Sequence, residues 1–147
     1  MQRTILLLAL LLGALPVTAT AQASAPSRHG ILIQVTSGPE DPTRAAAAFL
    51  IAKAAVEEGH SVSIFLLGDA VQLIRDQVIN SLTGLGPGPL RASFDAVVKG
   101  GGRIYLSGPS STARGVTAAD LAGKPAQFST PNELVRLSLT HDRIFTY

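Results

Sequence analysis

Short apolar runs alternate along this chain with stretches that carry helix start and stop signals, and that alternation narrows the fold more than any other feature. Residues 31–36 (ILIQVT) form a nearly continuous apolar run. Such a run suits a strand covered on both faces, as in a parallel sheet. Asp41-Pro42 opens a helix, because Asp is a good N-cap and Pro is tolerated at the first helical position. The helix runs to about Glu58 and stops at Gly59, a residue suited to a left-handed terminator. Val62, Ile64 and Leu66 alternate with Ser61, Ser63 and Phe65 as a second strand, after which Asp69 is placed to cap a helix over residues 70–80. Leu90, Phe94, Val97 and Val98 fall on one helical stripe, ended by Gly100-Gly101-Gly102. Residues 104–107 read as a third strand and 126–129 as a short fourth. Thr117-Ala118-Ala119-Asp120 and Thr130-Pro131-Asn132-Glu133 have the form of capping boxes. The second opens a helix whose apolar side carries Leu134, Val135 and Leu137. Residues 143–147 close the chain as a fifth strand. Strand–helix alternation at this spacing implies right-handed crossovers and an α/β, doubly wound, mostly parallel five-stranded sheet. Residues 31–147 form one domain, with no internal repeat or linker.

The first 23 residues read as an address. Arg3 supplies a positive start, residues 5–15 (ILLLALLLGAL) an eleven-residue apolar run, and Pro16 a break. Two small-x-small patterns follow, and cleavage is expected after Ala23. Residues 24–30 are then a polar leader. The apolar run is shorter than the ~20 residues a bilayer span needs, and no later stretch reaches that length. The expectation is an exported protein with no membrane segment after cleavage, periplasmic if its source is a Gram-negative bacterium. The chain has no Cys, which removes disulfides, thiolate metal sites and any thiol or persulfide chemistry carried by this chain. Twelve Lys+Arg against ten Asp+Glu leave a formal charge of +2, too little for a dedicated nucleic-acid face.

Ligands of open parallel sheets bind beyond the carboxyl ends of the strands. Three loops leave those ends here. They carry Gly38 and Glu40, then Gly68 and Asp69, then Ser107, Gly108 and Ser110, with Arg114 just beyond. The glycines allow close backbone approach, and Arg114 offers bidentate donors to an anion. Plainer roles stand beside these. Asp41 and Asp69 serve as helix caps, Gly38-Pro39 and Gly108-Pro109 as turns, Glu40 as a solvated acid, and Arg114 as the partner of Asp69 or Glu40 in an ion pair. His29, His60 and His141 each precede a strand, so all lie toward the amino edge, away from the serine-bearing loop. Their dispersion argues against a Ser–His triad or a zinc site. Gly84-Leu85-Gly86-Pro87-Gly88 follows a helix and lacks Lys-Ser/Thr, so it is a loop and no phosphate or dinucleotide fingerprint. No cofactor or metal is expected. Between Ala45 and Val56 only Lys53 is polar, so that helix is expected to be buried on more than one face, one against the sheet and another against a neighbouring subunit.

ILIQVTSGPED (31–41), the Ala-rich helix ending Glu57-Glu58-Gly59-His60, VSIFLLGDAV (62–71) and YLSGPSSTARG (105–115) together resemble DsrE/DsrF-like proteins. The likeness extends to 131–139 and Asp142-Arg143-Ile144. It implies a flavodoxin-like three-layer fold assembling into trimers or hexamers. It also implies kinship with bacterial sulfur relays, whose components carry a persulfide on a Cys just after the third strand. Here Ser107 or Ser110 stands in that stretch, and a hydroxyl oxygen holds no persulfide. The leading expectation is non-catalytic binding of a small anionic or polar ligand, or a partner protein, at the carboxyl rim. The alternatives are an oligomeric accessory subunit of a sulfur or redox system, and a hydrolase using Glu40 or Asp69 as general base.

Overall fold

A computed structural model describes residues 27–147; the leader expected at 1–23 lies outside them. Five strands build the main sheet: β1 (Gly30–Val35), β2 (Ser61–Leu66), β5 (Arg103–Ser107), β6 (Ala126–Ser129) and β7 (Arg143–Thr146). Their order is β6-β5-β2-β1-β7, and every pairing is parallel. Between them run α1 (Pro42–Glu57), α2 (Asp76–Ser81), α3 (Leu90–Lys99), α4 (Gly108–Ala113), α5 (Ala118–Leu121) and α6 (Pro131–Thr140). β3 (Thr83–Gly84) and β4 (Gly88–Pro89) form a separate two-stranded ribbon. The glycine-rich stretch read as loop is thus a tight hairpin.

The sheet order decides which face each helix covers. The chain steps from β1 to β2, β5 and β6 in one direction, so right-handed crossovers place those connections on a single face. The larger core lies there. Ile33, Val35, Ile64, Leu66, Ile104 and Leu106 pack against α1, α3 and the segment after β2. The step from β6 back past β1 to β7 places α6, alone among the described helices, on the other face, over Leu32, Phe65 and Tyr105. No helix among the described residues is long and apolar enough to cross a membrane.

Helix α1 follows the sequence reading at both ends. Asp41 accepts from the Arg44 amide, and Gly59 takes φ +85° just beyond the C-cap. Its second buried side meets α3, where Phe49 and Phe94 lie with ring centroids 6.0 Å apart. A neighbouring subunit is not needed to explain that burial; Leu50 and Ile51 remain on the outside.

Three local expectations are corrected. The helix anticipated over 70–80 is a 3-10 segment, Gly68–Ile74, broken from α2 by an extended Arg75. Ala70 with Leu73 and Val71 with Ile74 are all buried, and their spacing of three matches the three-residue turn of that geometry. Gly108-Pro109 is no turn but the start of α4, capped by the Ser107 hydroxyl. Val135 faces solvent at 58% exposure, leaving Leu137 as the buried anchor of α6 and Leu134 packed beside it.

Candidate functional site

The three loops meet at the carboxyl end of the sheet through named contacts. A methyl group on Gly38 would lie 2.5 Å from the Asp69 carbonyl oxygen, so only glycine lets the first loop pack on the second. Glu40 turns back to accept from the Gly38 amide at 2.7 Å. The Gly68 amide donates to Ser110 Oγ at 3.1 Å, joining the second loop to α4. Ser107 accepts from the Ser110 amide at 3.4 Å. Gly108 approaches the Ser129 carbonyl, 3.3 Å from where a Cβ would stand. Arg114 Nε donates to Asp69 Oδ1 at 2.6 Å. Gly38, Glu40, Gly68, Asp69, Ser107, Ser110 and Arg114 therefore form one connected network, with Gly108 packed instead against Ser129.

The network also corrects one reading. Asp69 caps no helix; the residue at the cap of the 3-10 segment is Leu67, with no side-chain bond. Asp69 instead orients Arg114, whose side chain is 28% exposed. Arg75 had no local sequence signal, yet it fixes this corner. Its Nη2 donates to the carbonyls of Arg114, at 2.7 Å, and Gly115, at 3.0 Å. Those partners stand about forty positions away, beyond the reach of any spacing rule. Ser111 was also missed as a separate feature. Its hydroxyl is the one buried side-chain polar atom among the described residues without a protein partner. It lines a cavity of about 310 Å³ with Gly108, Thr112, Val116 and Phe128. α4, the helix that carries Ser111, has Arg114 at its C-cap.

The histidines all lie at the amino end, as expected, but are less dispersed. The His29 and His60 rings are 5.6 Å apart, and the His29 amide donates to His60 Nδ1 at 3.3 Å. No three His, Asp or Glu side chains converge on a metal geometry among the described residues. His141 is tied inward: Nδ1 lies 2.7 Å from the Leu137 carbonyl and Nε2 lies 3.0 Å from Ser63 Oγ. A carbonyl only accepts, so Nδ1 carries a proton, and Nε2 shares a hydrogen bond with the Ser63 hydroxyl. No histidine ring contacts Ser107 or Ser110 among the described hydrogen bonds.

A parallel sheet wrapped by helices on both faces, with its polar loops gathered at the carboxyl end, defines an α/β protein of flavodoxin-like architecture. The DsrE/DsrF-like family model matches residues 29–147. The chain belongs to the DsrE/DsrF-like family. Among solved structures it resembles the ychN protein from E. coli, with 20% identity, TM-score 0.64, and 81% of this chain and 99% of that one covered. It also resembles BT1422 from Bacteroides thetaiotaomicron, a conserved protein of unknown function, with 14% identity, TM-score 0.56, and 81% and 95% covered. At these identities the likeness speaks for the fold. No curated protein matches the chain.

Proposed function

We propose that this is an exported, cysteine-less member of the family that binds a small anionic or polar ligand at the carboxyl rim without covalent catalysis. One observation carries the reading. A guanidinium held in place by Asp69 stands at the end of the helix whose Ser111 hydroxyl, buried and unpartnered, lines the 310 Å³ cavity. Native structures seldom leave such a group unmet, and a ligand oxygen or bound water entering that cavity satisfies it. The ion pair through Nε, with Nη1 donating to the Ser110 carbonyl at 3.5 Å, leaves Nη2 as the free donor for an anion. A sulfur-carrier role is disfavoured because the family's thiol position is occupied by hydroxyls. A general-base hydrolase is disfavoured because Asp69 is committed to Arg114 and Glu40 to the Gly38 amide. The test is thermal stabilisation by sulfate, phosphate and acetate at constant ionic strength, with Arg114→Ala beside the parent chain. The parent is expected to shift and the variant not; equal shifts remove the assignment.

A second reading has its own observation. Phe128 on one edge strand and Ile144 and Phe145 on the other are each about two-fifths exposed. Bare apolar edges of a sheet favour assembly. In this reading the chain is an oligomeric accessory subunit, trimeric or hexameric, and a monomer by native mass measurement at micromolar concentration ends it.

A further inference from the structure

The amino half of the α6 face carries a second concave region, away from the rim. Among the described residues only the ten of α6 cover that face, and they leave its β5–β6 side open. Two cavities adjoin there, about 350 and 260 Å³, sharing Arg103 and Tyr105 in their walls. The larger is lined by Arg28, Arg103 and Arg136, and neither cavity has a carboxylate in its lining. Among the described residues Arg28 and Arg103 have no ion-pair partner, while Arg136 is held by Glu133 through Nε and Nη2. The floor is of different character. Leu137 and Tyr105 are 3% and 6% exposed, and the Tyr105 ring stacks on Phe65 at an interplanar angle of 8°. The Tyr105 hydroxyl has no hydrogen-bond partner among the described residues, yet it is not a sealed-in group. Ser63 and His141, which line the same cavity, bond to each other, so they leave no orphaned buried polar group that must be hydrated.

We infer that this groove binds a small organic oxyanion with an apolar or aromatic body. The unpaired guanidiniums of Arg28 and Arg103 take the oxyanion, and the Tyr105–Leu137 floor takes the body. Three guanidiniums around one concavity without a carboxylate lining it, two of them unpaired, form a cationic funnel. An apolar floor with a few convergent polar groups is the usual make-up of a small-molecule pocket, and the volume falls in the usual range. Phosphate monoesters and carboxylates share the required group.

Titration calorimetry with phenyl phosphate, benzoate and inorganic phosphate tests the groove in the Arg114→Ala background, where the rim does not contribute, with Arg103→Ala added as the variant. Phenyl phosphate or benzoate is expected to bind at least tenfold more tightly than inorganic phosphate. Whichever of the two binds more tightly identifies the oxyanion class. Adding Arg103→Ala is expected to weaken that binding about tenfold. Backbone amide shifts at Ser63, Gly101 and Tyr105 on titration place the ligand, and they also check that the Arg103 variant is folded. No binding of either aromatic anion, inorganic phosphate binding equally well, or affinity indifferent to Arg103 overturns the inference.

Discussion

Gly38→Ala isolates the contact that joins the first two loops. Gly38 is absent from the positive-φ glycines, so an L-residue can adopt its backbone and the cost is purely one of space. The new methyl would stand 2.5 Å from the Asp69 oxygen, 2.6 Å from its carbonyl carbon and 2.6 Å from Glu40 Oε2. Glu40 is exposed and can swing away, but the Asp69 backbone begins the buried 3-10 segment and cannot. Overpacking of this kind costs ~1–3 kcal/mol. Replacing Gly by Ala also restricts the unfolded chain, which returns ~0.4–1 kcal/mol where the conformation is allowed. The net expectation is a loss of about 1–2 kcal/mol. Urea unfolding monitored by far-ultraviolet circular dichroism measures it, with an unchanged m-value as the sign that the fold is intact. The shift should come with weaker coupling between Asp69 and Arg114, read from a double-mutant cycle in each background. Stability equal to or above the parent, within about 0.3 kcal/mol, would mean the loops are not packed as described.

Acid sensitivity has a specific source in Asp142. The Gly30 amide donates to it at 2.7 Å. That bond first, and then the nearby charges of His29 and Arg143, hold its carboxyl below the ordinary aspartate range. A carboxyl depressed in the folded state stabilises above its unfolded value, roughly pH 4, and loses that contribution as pH falls through the folded value. Asp142→Asn should be less stable than the parent at pH 7 and show a shallower decline between about pH 4 and 2; parallel curves would refute this. Phe49→Ala removes a ring that is 1% exposed between the sheet and α3. It should cost about 3–5 kcal/mol in the same unfolding assay, and a loss below about 1 kcal/mol would show that α1 and α3 are not packed through it.

What the sequence made legible follows the range of the forces involved. Caps, terminators and period are local, so Asp41, Gly59, the Thr117 and Thr130 caps and all five main-sheet strands were readable from neighbouring residues. The convergence of Gly38, Gly68 and Ser110 was readable too, because strand order and crossover handedness alone bring those loops to one end. Choices settled by tertiary contact were not. Asp69 has the form of a cap, yet a charged partner 45 positions on outcompetes a backbone amide for its carboxylate. Gly108-Pro109 reads as a turn, yet Pro also suits a first helical turn, and the Ser107 hydroxyl tips the balance. The Ser63–His141 bond was hidden because Ser63 reads as the polar face of an alternating strand. Only the return of β7 beside β1 brings α6, and the histidine at its end, across that face.

The two ends of the sheet have divided the chain's polar chemistry between them. At the carboxyl end, where the family resemblance places a thiol, the acids are spent internally: Asp69 holds Arg114, and Glu40 holds the Gly38 amide. What remains for a ligand there is hydroxyl and the Arg114 Nη2, which suits reversible contact. At the amino end the order is reversed. His29 pairs with Asp142 and His60 with Glu58, at 3.6 Å each, while Arg28 and Arg103 stay without a carboxylate among the described residues. Among the described residues Lys53, Arg75, Arg91, Arg114, Lys124 and Arg136 are paired with carboxylates, whereas Arg28 and Arg103 are unpaired and share one cavity wall, in a chain with a surplus of only two positive charges. That local excess, rather than the net charge, is the quantity that decides whether an anion is drawn to this protein.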